Sequence, residues 1–258
     1  MPVIAHFSDI HLGQVRPGPD GPDGGARAEA RAARVMAYLE ALPGRIDAVL
    51  VTGDIADHGA PEEYAAAARV LASGRWEVLT CPGNHDVREA YRAGLLGEEP
   101  SAGPVNRLHE LPGLTVLAAD SSIPGRDEGR IDDETLAWLD TTLSRARRDV
   151  PAVVAFHHPP VVLHAPYVDE IRLLDEQRLA AVLRCHPQVA AVLCGHAHTP
   201  AATGFAGLPL AVAPGVVSTV TLPFEGGEGI VFDHPPMLAF HILDEQRRLT
   251  THHRIVLP

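Results

Sequence analysis

The chain has 258 residues, a formal net charge of −12 and 21 basic residues, all of which are arginines. Without lysine, it cannot use a P-loop lysine, a Schiff-base lysine or a lysine general base. Its acidic balance and its lack of a basic run argue against nucleic-acid binding, because contact with the phosphate backbone depends on clustered positive charge. Its length fits one large α/β domain or two small ones.

Cysteine usage and hydropathy predict where the chain resides. The three cysteines, Cys81, Cys185 and Cys194, include no C-x-x-C pair, which predicts a reducing compartment and argues against a thiolate zinc site. No secretory signal peptide is visible at the N-terminus. The charge-free and mainly apolar stretch 205–224 contains three prolines and two glycines, which favours two buried strands around a turn over a membrane helix. We therefore expect a soluble, cytoplasmic protein.

Strands and helices are predicted to alternate along the first 200 residues. Short apolar runs predict the strands, and the longer segments between them predict helices. In chain order the strands are 3–7, 46–51, 77–80, 114–119, 152–156 and 189–193, and the helices are 26–42, 61–72, 87–95, 132–148 and 174–184. Residues 13–25 are rich in Gly and Pro and predict a loop with the composition of a mobile flap.

The pattern changes after Thr199. Four β-prone segments follow with no helix between them, at 208–213, 216–222, 237–243 and 249–256. Because no linker or repeat separates the two parts, we predict a single domain over 1–258, with an α/β part at 1–200 and a β-rich part at 201–258. Two packed sheets with helices outside them would bury these elements.

Five short clusters of His, Asp and Asn each follow a predicted strand. They are Asp9-Ile10-His11, Gly53-Asp54, Gly83-Asn84-His85-Asp86, His157-His158-Pro159 and Gly195-His196-Ala197-His198. In open α/β sheets the carboxyl ends of strands converge on one crevice, so these distant residues can meet there. In extended backbone, residues i and i+2 point to the same side, which predicts that both ends of D-x-H and H-x-H reach one ion.

The residue types in these clusters predict a metal site. Two of the aspartates, Asp9 and Asp54, with one amide and several imidazoles and without a thiolate, suit Mn, Fe, Co or Zn. A catalytic ion takes about three protein ligands, so this set is too large for one ion and sufficient for two ions that share a carboxylate. Two aspartates against two divalent ions leave the pocket positive, which favours a phosphate anion as substrate.

The five blocks resemble, in their order, the calcineurin-like metallophosphoesterases, whose pattern is D-x-H, G-D, G-N-H-[DE], H and G-H-x-H. They span residues 9–198. The stretches "HHPP" and "GNHD" and the β-rich tail are similar to the bacterial branch of class III cyclic-nucleotide phosphodiesterases and glycerophosphodiesterases. The resemblance implies a four-layer α/β/β/α sandwich of two mixed sheets flanked by helices.

The resemblance also implies a role for each motif residue. Asp9, His11 and His198 would hold one metal ion, Asn84, His157 and His196 the other, and Asp54 would bridge the two. His157 is preferred because family members have the ligand two residues before a proline, and His158 stays the alternative. His85 would face the phosphoryl oxygen or the leaving group and protonate the leaving alkoxide. Asp86 is predicted to cap the following helix, and His241 to lie at the surface.

The implied activity is hydrolysis of a small phosphodiester, such as 3′,5′-cyclic AMP or a glycerophosphodiester, with two divalent or mixed-valence Mn, Fe, Co or Zn ions per chain. A hydroxide bridging the ions would attack phosphorus.

Two alternatives stay open. The first is a phosphomonoesterase or protein phosphatase, although "GDIADHG" lacks the arginine of the protein phosphatases. The second is an inactive scaffold of this fold, although no ligand histidine is missing. The sequence does not identify the alcohol or nucleoside part of the substrate, and it does not indicate whether the chain forms a homo-oligomer. Residues within 13–25, 121–131 and 161–172 are expected to line the substrate pocket.

Overall fold

The computed structural model describes residues 1–18, 21–226 and 229–257. Its strands are β1 (Val3–Phe7), β2 (Pro17–Gly18), β3 (Gly21–Pro22), β4 (Ala48–Thr52), β5 (Val78–Cys81), β6 (Arg107–Leu111), β7 (Leu114–Ala118), β8 (Gly129–Arg130), β9 (Ala152–Ala155), β10 (Leu173–Leu174), β11 (Val189–Cys194), β12 (Ala201–Phe205), β13 (Leu208–Val212), β14 (Thr219–Val220), β15 (Ile230–Val231), β16 (Met237–Leu243) and β17 (Leu249–Ile255). Its α-helices are α1 (Ala26–Glu40), α2 (Pro61–Leu71), α3 (Arg88–Tyr91), α4 (Asp133–Arg145), α5 (Pro166–Glu170) and α6 (Glu176–Arg184).

Two mixed sheets form the centre of the fold. The first has the strand order β17-β16-β1-β4-β5, in which β1, β4 and β5 are parallel and β16 runs antiparallel to both β1 and β17. The second has the order β12-β13-β11-β9-β7-β6, with a parallel centre from β13 to β7 and antiparallel edge strands β12 and β6. The C-terminal strands therefore complete both sheets that the first 200 residues begin.

Side chains alternate along the central strands between two buried faces. In β4, Leu50 belongs to the core between the sheets, where it meets Val153 of the second sheet. Its neighbour Val51 points to the opposite face and packs in the core beneath α1 and α2. Val154 likewise faces the core that includes α4 and α6. Helices thus cover both outer faces, and the prediction of a four-layer α/β/β/α sandwich of two mixed sheets is confirmed.

Several element predictions differ from the structure. Strands β6 and β12 were not predicted, because their side chains are largely exposed at sheet edges and carry little apolar signal. The segment 216–222 is mostly irregular, with only Thr219–Val220 as a strand, and a π-helical turn, Arg92–Leu96, follows α3. Residues 17–18 and 21–22 pair within the predicted loop; the flap prediction also falls on residues 19 and 20, which lie outside the described residues.

His241 is a further correction, because it is buried and not at the surface. Only 2 % of it is exposed, and its Nε2 lies 2.9 Å from the Nδ1 of His6 on the neighbouring strand β1. The other nitrogen of the His6 ring lies 2.8 Å from the hydroxyl of Thr52. Burial lowers the pKa of His241 to about 3. The pairing of β16 with β1 buries this histidine, and no local pattern indicates that pairing.

The five motif clusters all follow parallel strands. The ends of these strands lie next to one another. Main-chain bonds join Asp9 to Gly53 in the first sheet and Gly195 to His157 in the second, and the His157 ring contacts the Thr52 carbonyl across the two sheets. The predicted convergence of the strand ends is therefore present. Among the described residues, no helix is both long and apolar enough to cross a membrane.

Candidate metal centre

Left-handed backbone brings the motif side chains together. The φ angles are 56° at Asp9, 40° at His11, 49° at Asp54, 66° at His196 and 55° at His198. The expectation of extended backbone in D-x-H and H-x-H is therefore wrong, because the chain turns at each motif as it leaves the strand. Such φ values cost about 1–3 kcal/mol each and cluster at functional sites. Cross-motif main-chain bonds offset the cost, among them the one from His11 to the Asp54 carbonyl at 2.9 Å.

Glycines make room for the side chains of this centre. Gly53 has a φ of 89°, and a Cβ there would lie 2.3 Å from the Nδ1 of His157. A Cβ at Gly83 would lie 2.1 Å from the Oδ1 of Asp54. Contacts this short are far inside van der Waals distance, so a larger residue would displace the imidazole or the carboxylate. These glycines of the G-D and G-N-H-D motifs are thus required by the side chains they contact.

Asp86 stabilises the turns beneath the site. The prediction that it caps α3 is wrong. The residue at the start of α3 is Val87, and no side chain caps the helix. The buried Asp86 carboxylate instead accepts hydrogen bonds from the main-chain nitrogens of Ile55 at 3.2 Å, Ala56 at 3.1 Å and Gly83 at 2.8 Å. These otherwise unpaired buried amides outcompete the exposed first turn of α3 for the carboxylate. Burial raises the pKa of Asp86 to about 6.

One group of ligand atoms comes from Asp9, His11, Asp54 and His198, which each offer an atom within 4.8 Å of the others. The Nε2 of His11 is 3.5 Å from the Oδ2 of Asp54, and the Nε2 of His198 is 3.5 Å from the Oδ1 of Asp9. Asp9 is fully buried, and His198 exposes 11 % of its side chain. Two carboxylates and two imidazoles therefore converge on one small volume.

A second group adjoins the first through Asp54. The Nε2 of His157 lies 3.1 Å from the Oδ1 of Asn84, 3.1 Å from the Nδ1 of His196 and 3.4 Å from the Oδ2 of Asp54. The structure thus brings together all seven residues that the sequence predicted as metal ligands. Asp54 lies close to a histidine of each group, 3.5 Å from His11 and 3.4 Å from His157.

Several buried atoms of these groups have no hydrogen-bond partner among the described residues. They are both carboxylate oxygens of Asp9, the Nε2 of His11 and the Nε2 of His196. An unsatisfied buried polar atom costs about 1–3 kcal/mol, so four at one point call for a partner that a metal cation supplies. The donor set of carboxylate, amide oxygen and imidazole suits Mn, Fe, Co or Zn. The residues present therefore fit a metal centre.

The two histidines of the "HHPP" stretch point in different directions. The Nδ1 of His157 donates to the carbonyl oxygen of Thr52 at 2.6 Å, which leaves its Nε2 directed at Asn84 and Asp54. His158 directs its ring nitrogens to Ser121 and Asp127 instead. His158 lies close enough to His157 and His196 to belong to a possible ligand cluster, but its hydrogen bonds favour His157 as the ligand.

Other side chains orient the candidate ligands from behind. The Nδ1 of His11 donates to the Oδ1 of Asp57 at 2.8 Å, and the Nδ1 of His198 lies 2.6 Å from the hydroxyl of Ser218. Such partners fix the tautomer of a ligating imidazole and commonly change metal affinity by 10–100-fold. Sequence reasoning missed Ser218, because no motif surrounds it and only the fold brings it beside the last motif.

Mutual electrostatics govern ionisation inside the centre. Burial opposes the charge on Asp54, but the imidazoles of His157 and His11 outweigh burial and hold its pKa well below the ordinary value. Burial likewise opposes the charge on His157, but Asp54 and Asp9 raise its pKa to about 9. Without metal, a proton on His157 therefore balances the carboxylates, and a cation would displace that proton on binding.

His85 lies at the open side of the centre. Its Nδ1 donates to the carbonyl oxygen of Asp57 at 2.7 Å, so its Nε2 is the nitrogen left without that bond, and His85 lines the cavity described below. Its ring meets that of His11 edge-on, with centroids 4.6 Å apart. The structure thus places His85 beside the predicted ligands without making it one of the two ligand groups described above.

A cavity of 360 Å³ opens over the two groups. Four of its lining residues, Gln14, Asp127, Tyr167 and Ile171, come from the three segments that were expected to line the substrate pocket. The opposite side was not anticipated from the sequence and includes Val220 and Phe232 of the chain around β14 and β15. Only tertiary packing brings these two side chains to the cavity. In the sequence, the 216–222 segment that contains Val220 has the pattern of an ordinary buried strand.

The family model described as "Calcineurin-like phosphoesterase" matches residues 2–200, and the chain belongs to that family. A probable cyclic nucleotide phosphodiesterase of Rhodococcus erythropolis is 36% identical over 228 residues, which cover 87% of this chain and 74% of the relative. The glycerophosphodiester phosphodiesterase GpdQ of Enterobacter lignolyticus is 33% identical over 243 residues, 93% of this chain and 86% of the relative.

Solved structures agree with the fold. A dimetal phosphatase of Danio rerio superposes with a TM-score of 0.67 at 13% identity and covers 99% of both chains. At that identity the likeness concerns the fold alone. The family and the named relatives show that the chain is an enzyme of the phosphoric ester hydrolase class. The family uses a dinuclear metal centre, and the carboxylate and imidazole clusters described above offer the ligands for one.

Proposed function

We propose that this protein is a phosphodiesterase that works with two metal ions bound at the converging motifs. The observation that carries the proposal is the set of buried, unpartnered ligand atoms on Asp9, His11 and His196, which lie where the motifs meet. The named relatives support diester hydrolysis, since they are phosphodiesterases. The inactive-scaffold alternative fits less well, because every motif residue that offers a ligand atom is present and faces the site.

The ions would be held by two overlapping ligand sets. Asp9, His11 and His198 would hold the first ion, Asn84, His157 and His196 would hold the second, and Asp54 would contact both. The contacts of Asp54 with His11 on one side and with His157 on the other support this division. Mn, Fe, Co and Zn are all compatible with the donor set. When bound, such ions lower the pKa of a water molecule and stabilise negative charge on a phosphoryl group.

His85 would act on the leaving group. Its Nδ1 proton is committed to the Asp57 carbonyl, so a proton given to the leaving oxygen must come from Nε2. A positioned general acid typically contributes about 10²–10⁴-fold to the rate. The exposure of His85 at the pocket allows it to meet substrates of different size.

The substrate would be a small phosphodiester. The relatives named as cyclic nucleotide phosphodiesterases and as glycerophosphodiester phosphodiesterases make 3′,5′-cyclic AMP and glycerophosphodiesters the first compounds to test. A 360 Å³ cavity with Tyr167 and Phe232 among its lining residues has room for either class.

A turnover panel tests this proposal directly. The metal-stripped protein is reloaded with Mn²⁺, Co²⁺ or Zn²⁺ and given a cyclic nucleotide, a glycerophosphodiester and a matched pair of chromogenic diester and monoester. We expect two ions per chain by elemental analysis, loss of activity on chelation, and a higher kcat/KM for the diester of the pair. A preference for the monoester, or saturation at one ion, would overturn the proposal. His196→Ala is the inactive control.

We also propose that the protein acts in the cytoplasm on soluble substrates. Its three cysteines are all free, and Cys81 and Cys194 are buried, as expected in a reducing compartment. Neither a membrane nor a nucleic acid is needed for the proposed reaction, and the net charge of −12 disfavours nucleic acid as a partner. Cell fractionation with an antibody to the chain tests the location, and light scattering tests for a homo-oligomer.

A further inference from the structure

His158 is buried next to the candidate metal centre, yet its ring nitrogens serve another part of the molecule. Its Nε2 lies 3.2 Å from the carbonyl oxygen of Asp127. A carbonyl can only accept, so Nε2 carries the proton. The Nδ1 then accepts from the hydroxyl of Ser121 at 2.8 Å, and that hydroxyl accepts in turn from the main-chain N–H of His158 at 3.3 Å. Both nitrogens are therefore used.

Packing confines the His158 ring on two sides. Its centroid is 4.8 Å from that of His157 and 4.6 Å from that of His196, the two imidazoles proposed for the second ion. On another side lies Gly129, where a Cβ would come within 2.3 Å of the Cγ and Nδ1 of His158. The ring thus fills the space between the metal centre and the chain around β8.

The chain around β8 belongs to one wall of the cavity. Asp127, two residues before β8, lines the cavity together with Tyr167 and Ile171. We refer to these three residues as the pocket wall. The two parts of the wall are joined by the parallel pairing of β8 with β10, in which Gly129 donates to the Arg172 carbonyl at 3.3 Å. From the side of the metal centre, the His158 ring hydrogen-bonds to this unit at the carbonyl of Asp127.

We propose that His158 is a positioning residue that holds the pocket wall in register with the metal centre, and so determines how well the enzyme binds the part of the substrate beyond the phosphoryl group. The two histidines of the doublet then have different roles: His157 would bind a metal ion, and His158 contacts the pocket wall. The kinetic part of this proposal rests on the proposed phosphodiesterase function. The structural part does not, because it concerns the order of the wall.

The first experiment compares His158→Ala with His157→Ala and with His186→Ala. His186 is a buried, hydrogen-bonded histidine that contacts Asp140 and controls for the loss of a buried imidazole. In His158→Ala we expect two ions per chain and a rise in KM of about threefold to tenfold, the size of one net hydrogen bond, with kcat nearly unchanged. His157→Ala should instead lose one ion, and His186→Ala should leave KM as it was.

Hydrogen exchange supplies a readout that needs no turnover. In His158→Ala the amides of Gly129 and Leu173, which bond to the Arg172 and Pro159 carbonyls, should exchange at least about tenfold faster as the wall opens locally. If exchange rises while no phosphodiester is hydrolysed by any variant or by the wild type, the proposed function fails and the role of His158 stands. If the wild type hydrolyses diesters and neither KM nor exchange responds, the role of His158 is refuted.

A steric rescue makes the test sharper. Gly129→Ala alone should push its methyl group against the His158 ring and raise KM as His158→Ala does. In the double variant the ring is gone, so the added methyl group has room, and KM should be no higher than in His158→Ala alone. Additive effects would contradict the proposed contact.

If His158→Ala does not fold, Ser121→Ala removes one partner of the ring and keeps the proposal falsifiable. Loss of an ion in His158→Ala would identify His158 as a ligand and overturn the proposal.

Discussion

Replacing Asp54 with alanine is expected to empty both metal positions, because its carboxylate lies between the two ligand sets. Its Oδ2 is 3.5 Å from the Nε2 of His11 in the first set and 3.4 Å from the Nε2 of His157 in the second. Asp54 and Asp9 supply the whole negative charge of the proposed ligands. Removing Asp54 therefore halves that charge and leaves two cations with no shared anion.

The size of the effect follows from Coulomb's law. At about 4 Å and an effective dielectric constant of about 20, two unit charges interact by about 4 kcal/mol, and a divalent ion doubles this. Even if half of that is recovered by solvent, about 4 kcal/mol remains per ion, which is roughly a 10³-fold weaker Kd. Asn84 is neutral, and its side chain contacts His157 of the second set at 3.1 Å. Asn84→Ala should thus weaken one ion by about 10–100-fold and leave the other in place.

Calorimetric titration with Mn²⁺, together with elemental analysis of the desalted protein, distinguishes these outcomes. Asp54→Asn serves as a control that keeps the shape of the side chain and removes its charge, so it should resemble Asp54→Ala more than the wild type. Turnover of Asn84→Ala should recover partly as Mn²⁺ is raised, and that of Asp54→Ala should not. The reasoning is refuted if Asp54→Ala still loads two ions, or if Asn84→Ala loses both.

Three further predictions concern single residues. His85→Ala should keep two ions and lose about 10²–10⁴-fold in kcat with poor leaving groups but much less with 4-nitrophenol; equal losses would exclude it as the acid. Gly53→Ala, whose Cβ would meet His157 at 2.3 Å, should weaken one ion in a metal titration, and unchanged binding would contradict this. Burial lowers the pKa of His241 from 6.5 to about 3, so its contribution to stability is complete above pH 6.5 and is lost as the pH falls from 6.5 towards 3. By linkage the loss amounts to about 2 kcal/mol at pH 5. Urea unfolding of His241→Gln should lack that loss, whereas His252→Gln on the exposed side of β17 should retain it.

Much of the candidate centre is predictable because its residues lie in short local motifs. D-x-H, G-D, G-N-H-D, H-H-P-P and G-H-x-H each follow an apolar run, and parallel strands must end at a common edge. This rule brings Asp9 and His198 within 3.5 Å across nearly the whole α/β part. The alternation of strands and helices, followed by a β-rich tail, likewise predicts two sheets with helices outside them.

Other features depend on contacts between distant segments, and no local pattern indicates them. The left-handed φ of His11 and His198 is stabilised by main-chain bonds from other segments. The D-x-H and H-x-H spacings contain no information about those bonds, and for this reason they predicted extended backbone. The preference for His157 over His158 as the ligand acquires a physical basis only when the Thr52 carbonyl, 105 residues away, takes the Nδ1 proton of His157.

The residue types of the candidate ligands, their positions along the chain and the layers of the fold are predictable from the sequence, because they depend on local pattern and strand direction. The roles that depend on buried polar partners follow from the tertiary structure alone. Asp86 holds turn amides, not a helix end, Ser218 supports His198, and His241 is buried beside β1. A buried donor or acceptor must find a partner wherever the fold provides one, and that partner can come from any part of the chain.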